Sequence, residues 1–114
     1  MVEATTEAVM QHHAKALMSG NFDELAKDYT EDSVLFTPTE TCKGPESIKA
    51  AFAAFMKMLS PEASANFKAT KQDIQGEYVY LLWTAVPTFP FAGDTFHIHN
   101  GRIMMQSILF STGS

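Results

Sequence analysis

The sequence predicts an α+β fold in which helices cover one face of a curved antiparallel sheet. Apolar residues recur at helical spacing in the first half of the chain, and from about residue 65 the pattern becomes extended. Asn100-Gly101 separates two apolar runs and is typical of a tight hairpin turn. Helices followed by hairpin-connected strands predict two layers, and the 114 residues (1–114) fit one domain.

Three helices are expected in the N-terminal half. The first covers 2–19 and ends at Gly20, and the second covers 21–28 with Asn21 at its start. The third opens at Gly44-Pro45, because proline is favoured at the first helical position, and it ends at Ser60-Pro61. The apolar stripe of the third helix consists of Ile48, Ala51, Phe52, Phe55, Met56 and Leu59.

The remaining segments are predicted as strands with turns between them. The predicted strands are 33–37, 65–75, 77–86, 94–99 and 102–110. Residues 87–93 are predicted as a loop because they contain two prolines and a glycine. The 77–86 segment is apolar on both faces, which predicts a strand covered on both sides.

Composition excludes several classes of function. The net charge is −5 and Arg102 is the only arginine, which argues against a nucleic-acid partner. The single cysteine, Cys42, excludes an internal disulfide and a cysteine-rich metal site. No apolar run approaches the ~20 residues of a membrane span, and the first residues show no secretory pattern. We therefore expect a cytoplasmic protein without a membrane partner.

Four local patterns, in this order, resemble the nuclear transport factor 2-like superfamily, which includes ketosteroid isomerases and SnoaL-like proteins of the polyketide-cyclase type. They lie at 16–23, 28–34, 44–48 and 94–103. The resemblance covers the whole chain and implies a cone-shaped sheet (a cystatin-like α+β roll) whose mouth the three helices close. It further implies a small apolar molecule inside the cone and a homodimer through the outer sheet face. This fold hosts many functions, so activity must be argued from the site.

The resemblance to ketosteroid isomerases is incomplete at the positions that carry chemistry. These isomerases use a tyrosine on the first helix, an aspartate base after the first strand and a protonated aspartic acid in the late hairpin. The matching positions here are His13, Thr37 and Asp94. Threonine does not take a proton from carbon at neutral pH, so classical steroid isomerisation is not expected. The position of Arg102 at the hairpin tip also disfavours the Asp-Arg-Asp chemistry of related epoxide hydrolases.

Asp94 and His13 are the candidate catalytic residues. Strand alternation puts Asp94 on one face with Phe96 and Ile98, where burial raises the pKa of a carboxyl group. The alternative for Asp94 is a turn cap after Gly93. His13 lies on the apolar stripe of the first helix, and its alternative is an ordinary core residue. A hydrogen bond between His13 and Asp94 would give an acid–base pair.

Matching to the isomerases also predicts the cavity wall. On the 77–86 strand, Tyr80 and Leu82 are expected to face the cavity, and Leu81 and Trp83 to face outward. An outward Trp83 would leave an apolar patch that a second subunit covers, which favours a homodimer. The other expected binding residues are Met10, Tyr29, Phe36, Phe55, Phe96, Met104, Gln106, Ile108 and Phe110.

No metal or other cofactor is expected. His97 and His99 have the spacing of a two-ligand metal clip, but two ligands are too few for a tight site. Cys42 precedes the third helix without a basic neighbour, so it is expected to be unreactive.

Two functions remain open from the sequence. The first is proton transfer of the isomerase, cyclase or dehydratase type on a small apolar molecule, using Asp94 and His13. The alternative is a ligand-binding or protein-interaction module without chemistry. An apolar cavity of at least ~300 Å³ on which both residues converge would favour the enzyme. A cavity filled by the protein's own phenylalanine and methionine side chains would remove both ligand-binding functions.

Overall fold

Helices cover one face of a six-stranded sheet in the computed structural model, which describes residues 5–112. In chain order the elements are α1 (Thr6–Met18), α2 (Phe22–Ala26), β1 (Tyr29–Phe36), β2 (Thr41–Lys43), α3 (Pro45–Met58), α4 (Pro61–Ala65), β3 (Lys68–Gln75), β4 (Tyr78–Ala85), β5 (Phe89–His99) and β6 (Arg102–Ser111). This arrangement confirms the α+β prediction, and α1, α2 and α3 are the three helices expected in the N-terminal half.

Side-chain caps fix the beginnings of three helices. The hydroxyl of Thr5 accepts a hydrogen bond from the backbone N–H of Ala8 at the start of α1, and the predicted residues 2–4 lie outside the described residues. Asn21 caps α2 as predicted. Ser60 follows the end of α3, but it also caps a fourth helix, because its hydroxyl accepts from the N–H of Ala63. The sequence analysis had not predicted α4.

The sheet is curved and unclosed, with strand order β2-β1-β6-β5-β4-β3. Strands β3 to β6 form the expected antiparallel meander, whereas β1 runs parallel to β6. The turn at Asn100-Gly101 has positive φ at both residues, 52° and 74°, as a type I′ hairpin requires. The short strand β2, which contains Cys42, had been predicted as a loop because three residues carry too little pattern.

Strand β5 begins earlier than the sequence indicates. Residues 89–93 were predicted as part of a loop, but Phe89 opens the strand. Pro90 is tolerated there because the β4–β5 pairing is irregular between Trp83↔Ala92 and Ala85↔Phe89. A residue without an N–H costs no ladder hydrogen bond at such an irregularity.

The faces of β4 are opposite to those predicted. Trp83 is 5% exposed and Val79 is buried, whereas Tyr80 is 48% exposed on the outer face. Leu82 shares the outer face with Tyr80, so the prediction that these two side chains face the cavity is wrong. Because Trp83 is buried, it forms no exposed apolar patch, and the prediction of a homodimer from such a patch was wrong in its premise.

Register explains this reversal. Val79 pairs with Phe96 and Trp83 pairs with Ala92, and the residues of β5 at these positions face inward. Directly paired residues of antiparallel strands share a face, so β5 determines the orientation of β4. Because both faces of β4 are apolar, alternation alone could not show which face points inward.

An aromatic cluster joins α3 to the inner face of the sheet. The ring of Phe55 stacks on Phe89 with centroids 5.2 Å apart, and Phe89 packs against Phe110 at 4.5 Å. Burial of such side chains contributes about 1.5–3 kcal/mol each. Among residues 5–112, no helix is long and apolar enough to cross a membrane.

Candidate functional site

A cavity of about 130 Å³ lies between the helices and the inner face of the sheet, and it is smaller than the ~300 Å³ that would have favoured an enzyme on volume alone. Its buried lining residues are Met10, His13, Phe52, Trp83, Asp94 and Ile108. Its exposed lining residues are Ala14 and Met18 of α1 and Ala69 and Gln72 of β3. The cavity therefore opens between the C-terminal half of α1 and the edge strand β3, and its inner end contains the two candidate catalytic residues.

Asp94 lies at this inner end with a hydrogen bond to each carboxylate oxygen. Trp83 Nε1 donates to Oδ1 and Gln106 Nε2 donates to Oδ2, both at 2.8 Å. Burial raises the pKa of Asp94 to about 6, and the two hydrogen bonds oppose that rise because they favour the charged form. Asp94 is therefore mostly ionised at neutral pH. A carboxylate has about four acceptor positions, so Asp94 can still accept a proton from a ligand.

Gln106 and Tyr29 hold Asp94 from behind the cavity wall. The hydroxyl of Tyr29 donates to Oε1 of Gln106, which turns the amide N–H₂ of Gln106 toward Asp94. Gln106 is fully buried, and burial raises the pKa of Tyr29 well above its usual value, so the hydroxyl keeps its proton. Neither side chain lines the cavity. They are positioning residues, whereas the sequence had indicated direct contact with a ligand.

His13 is a neutral imidazole enclosed by aromatic rings. Its ring meets those of Phe96, Phe52 and Tyr29 edge-on, with centroids 5.4, 5.8 and 6.4 Å apart. Burial lowers the pKa of His13 to about 4, so the ring is uncharged at neutral pH. The buried Nδ1 atom has no hydrogen-bond partner among the described residues. Because Nδ1 is itself enclosed by protein, it is an unsatisfied polar atom of the core and does not open onto the cavity.

The predicted hydrogen bond between His13 and Asp94 is not formed among the described residues. Trp83 on β4 and Gln106 on β6 donate hydrogen bonds to the two oxygens of Asp94 instead. Both residues nevertheless line one cavity, so a ligand placed there can contact them together.

The other predicted binding residues divide into two groups. Met10, Phe55 and Ile108 line the cavity, as predicted. Phe96 and Phe110 belong to the surrounding core instead, since Phe96 packs on His13 and Phe110 packs on Phe89.

Four predicted binding residues lie away from the cavity because of local register. Phe36 is exposed on the outer face, since Leu35 takes the inward position on β1. Tyr80 and Leu82 face outward, as described above. Met104 is also outside the lining, because Ile98 pairs with Ile103 and the register then shifts. Ile103 consequently takes the inward position that matching to the isomerases gave to Met104.

Most of the residues that line the cavity were not predicted from the sequence. The missed lining residues are Ala14, Leu17, Met18, Phe52, Met56, Leu59, Ser64, Phe67, Ala69, Gln72, Leu81 and Trp83. One signal for Trp83 was present: a buried indole N–H needs an acceptor, and Asp94 is a polar acceptor on the adjacent strand. The sequence analysis had treated Phe52 and Met56 as core residues only.

Two histidine clusters lie outside the cavity. His97 and His99 both contact the carboxylate of Glu77, with Nε2 and Nδ1 at 3.0 and 2.8 Å from its two oxygens. Residues 5–112 contain no group of three or more His, Cys, Asp or Glu side chains arranged to hold a metal ion. Glu77 therefore serves as an anionic partner of two surface histidines.

The second histidine cluster joins α1 to α2 and β1. His12 Nδ1 lies 2.8 Å from both carboxylate oxygens of Asp28, and Nε2 lies 2.9 Å from Glu24 Oε1. Hydrogen bonds to Glu24 and Asp28 raise the pKa of His12. These contacts of His12 were not predicted from the sequence.

The chain is similar to known proteins at the level of a family and of a fold. The family model of the SnoaL-like domain matches residues 9–105. The chain belongs to this family. No curated protein matches this SnoaL-like domain.

Solved structures of the same fold resemble this SnoaL-like domain at low sequence identity. An NTF2-like protein of unknown function from Cytophaga hutchinsonii has a TM-score of 0.73 and 18% identity, over 96% of this chain and 93% of that one. A proposed SnoaL-like polyketide cyclase from Shewanella denitrificans has a TM-score of 0.72 and 17% identity, over 93% and 90%.

A third similar structure contains a small molecule. It is a hypothetical protein with a ketosteroid isomerase-like fold from Catenulispora acidiphila in complex with trimethylamine. Its TM-score is 0.70 and its identity 18%, over 94% of this SnoaL-like domain and 88% of that chain. At these identities the likeness shows the fold alone.

Proposed function

We propose that this SnoaL-like domain binds a small, mostly apolar carbonyl compound and moves a proton on it, as isomerases, cyclases and dehydratases do. One observation carries the proposal: Asp94, with a pKa of about 6, and His13, a neutral imidazole, line the same apolar cavity. A general base works best when its pKa lies near the working pH. The proposed polyketide cyclase among the similar structures supports the cyclase type of chemistry.

In this reaction Asp94 is the base and His13 is the hydrogen-bond donor. The carboxylate takes a proton from the carbon beside the carbonyl group, the electron pair of that C–H bond forms a C=C bond to the carbonyl carbon, and the π pair of the C=O bond moves onto the oxygen. The neutral imidazole of His13 donates its N–H to this oxygen and stabilises the developing charge. Return of the proton to the same or a neighbouring carbon completes exchange or isomerisation.

Thr37, which occupies the position of the isomerase base, takes no part in this reaction. Its hydroxyl bonds to the backbone of Glu40 in the β1–β2 turn, and Thr37 does not line the cavity. The base in this chain is therefore a different residue from that of the ketosteroid isomerases.

Ligand binding without chemistry is the second candidate function. It is favoured by the hydrogen bonds that both oxygens of Asp94 already accept from Trp83 and Gln106. A carboxylate held in this way also satisfies two buried donors, which is a structural role.

The two functions are separated by exchange of the α-protons of cyclohexanone with D₂O, followed by ¹H NMR. We expect the wild-type protein to accelerate exchange at least tenfold over buffer, and Asp94→Asn to return it to the buffer rate. His13→Leu should slow exchange, and Asp32→Asn, at an exposed position, should not. Binding of cyclohexanone without exchange would favour the ligand-binding function. Wild-type exchange in Asp94→Asn would exclude Asp94 as the base.

We also propose a homodimer through the outer face of the sheet. Register aligns two rows there: Phe36, Ser107, Thr95 and Tyr80 form one, and Leu109, Gly93 and Leu82 form the other. Leu109 is 71% exposed. On β3 the two rows continue to Asp73 and Lys71, whose charges are opposite, while the part on β1, β6, β5 and β4 is uncharged. Identical faces can therefore meet over the uncharged part without like-charge repulsion.

Light scattering after gel filtration tests the dimer. We expect twice the monomer mass for the wild-type protein and the monomer mass for Leu109→Lys. Met58→Lys, on α3, provides the control because Met58 is also exposed but lies on the helical side. A monomeric wild-type protein contradicts the proposal.

A further inference from the structure

We propose that the cavity accepts ligands the size of a single six-membered ring with one inward-pointing polar group, and excludes fused-ring compounds. This inference deepens the proposed function and rests on it, because it assumes that the cavity is the ligand site. It limits the substrate class to monocyclic carbonyl compounds and their enols.

The volume of the cavity sets the upper limit. The cavity measures about 130 Å³. An apolar protein cavity of about 150 Å³ holds one benzene molecule. The inner part of the cavity therefore holds one ring, and the second ring of a fused compound would have to lie in the opening between α1 and β3. A four-ring steroid needs still more space.

Two aromatic side chains of the wall, Trp83 and Phe55, are held in place by their neighbours. Trp83 is held by its hydrogen bond to Asp94 and by the rings of Phe55 and Phe67, at 6.1 and 5.2 Å. Phe55 itself is stacked on the fully buried Phe89 with an interplanar angle of 4°. Displacing one wall residue requires repacking of the aromatic cluster behind it, which dense protein interiors resist.

The distribution of polar atoms sets the orientation of the ligand. His13 and Asp94 lie at the buried end, whereas Gln72 lies among the exposed residues at the opening. Between the two ends the wall is apolar and aromatic. A ring with one hydroxyl or carbonyl group therefore places that group at the inner end, where it can accept from His13 and, as an enol, donate to Asp94.

Titration of the single indole N–H signal by ¹H–¹⁵N NMR tests the inference. Trp83 is the only tryptophan, and its N–H lies at the cavity wall. The probes are phenol, which has the shape of a cyclohexenone enol, 2-naphthol with two fused rings, and testosterone with four. We expect phenol to shift the signal to saturation, and the two larger probes to bind at least tenfold more weakly.

Variants of α3 link the size limit to the wall. Met56→Ala and, more strongly, Phe55→Ala enlarge the cavity, so we expect at least tenfold tighter binding of 2-naphthol. Met58→Ala on the same helix does not line the cavity and should leave the selectivity unchanged. Met56→Ala keeps the test valid if Phe55→Ala does not fold.

The outcomes distinguish the two proposals. Binding of 2-naphthol or testosterone to the wild-type protein as tightly as phenol overturns the size limit and leaves the proposed function standing. Failure of all three probes to move the signal overturns both. Unchanged selectivity in a folded, enlarged variant shows that α3 does not set the limit and overturns the inference.

Discussion

Trp83 donates its indole N–H to Oδ1 of Asp94 across the β4–β5 pair, at 2.8 Å. The same indole forms part of the cavity wall, so one side chain both bounds the ligand space and favours the charged form of the acid beside it. Burial and hydrogen bonding act on Asp94 in opposite directions, and burial dominates.

Trp83→Phe removes the donor and leaves the carboxylate buried. We expect the pKa of Asp94 to rise above its value of about 6 by roughly one further unit, since a hydrogen bond to a charged group is worth about 1.5–3 kcal/mol. ¹³C NMR titration of the Asp94 carboxyl group measures this. Tyr80→Phe, on the outer face, serves as the control. An unchanged pKa in Trp83→Phe would contradict the hydrogen bond.

Tyr29→Phe leaves Oε1 of the fully buried Gln106 without its donor. We expect a loss of about 1–3 kcal/mol in the free energy of unfolding, which is the cost of an unsatisfied buried polar atom. Urea denaturation gives the value. The matched change Tyr80→Phe, at a half-exposed tyrosine, should stay within about 0.5 kcal/mol. Equal effects of the two changes would show that the Tyr29 hydroxyl has no structural role.

Asp94 and His13 have opposite effects on the pH dependence of stability. The folded pKa of Asp94 is about 6 against 3.8, so stability falls by about 3 kcal/mol as pH rises between these values. The folded pKa of His13 is about 4 against 6.5, so stability rises by about 3 kcal/mol over a similar range. The two contributions should largely cancel in the wild-type protein.

Single variants remove this cancellation. Asp94→Asn should show a free energy of unfolding that increases with pH across that range, and His13→Leu one that decreases. Urea denaturation at several pH values tests the slopes, with Asp32→Asn as the control. Parallel profiles for all four proteins would contradict the burial of these two groups.

The contacts of His12 predict a further pH effect at higher pH. Its pKa is raised above 6.5, so the stabilisation is fully present below that pH and is lost as pH rises through the folded pKa. His12→Gln should lack this loss. The side chain is 36% exposed, so the effect should stay below about 1 kcal/mol and weaken in salt. Lys15→Gln on the same helix is the control. A pH profile for His12→Gln that parallels the wild type would rule out the predicted linkage.

The sequence contained enough information for α1, α2 and α3 and for the part of β5 from Asp94 to His99. Asn21, Pro45 and the Asn100-Gly101 turn act locally, so their effects were predictable without knowledge of the rest of the fold. The turn also marks the end of β5, from which the alternation of inward and outward side chains along the strand can be counted. Asp94 is buried, as that alternation predicted.

Strand β4 was not predictable by alternation because both of its faces are apolar. A chemical difference was nevertheless present: the hydroxyl groups of Tyr78 and Tyr80 can form hydrogen bonds with water, whereas the side chain of Val79 is wholly apolar. The cavity wall was harder still, since Phe67 and Gln72 reach it only through the position of β3 at the sheet edge. Such positions depend on tertiary packing, which local pattern does not encode.

The parallel pairing of β1 with β6 has a consequence for synthesis on the ribosome. Ser33 of β1 donates its hydroxyl hydrogen bond to the carbonyl of Ile103, a residue 70 positions later in the chain. During synthesis, the edge of β1 that pairs with β6 therefore stays unpaired until β6 has been made. Contacts of such long sequence separation slow folding and expose unpaired strands meanwhile. We infer that helix formation and the β3–β5 hairpins precede the closing of the sheet, and that β1 is the segment most in need of protection before β6 emerges.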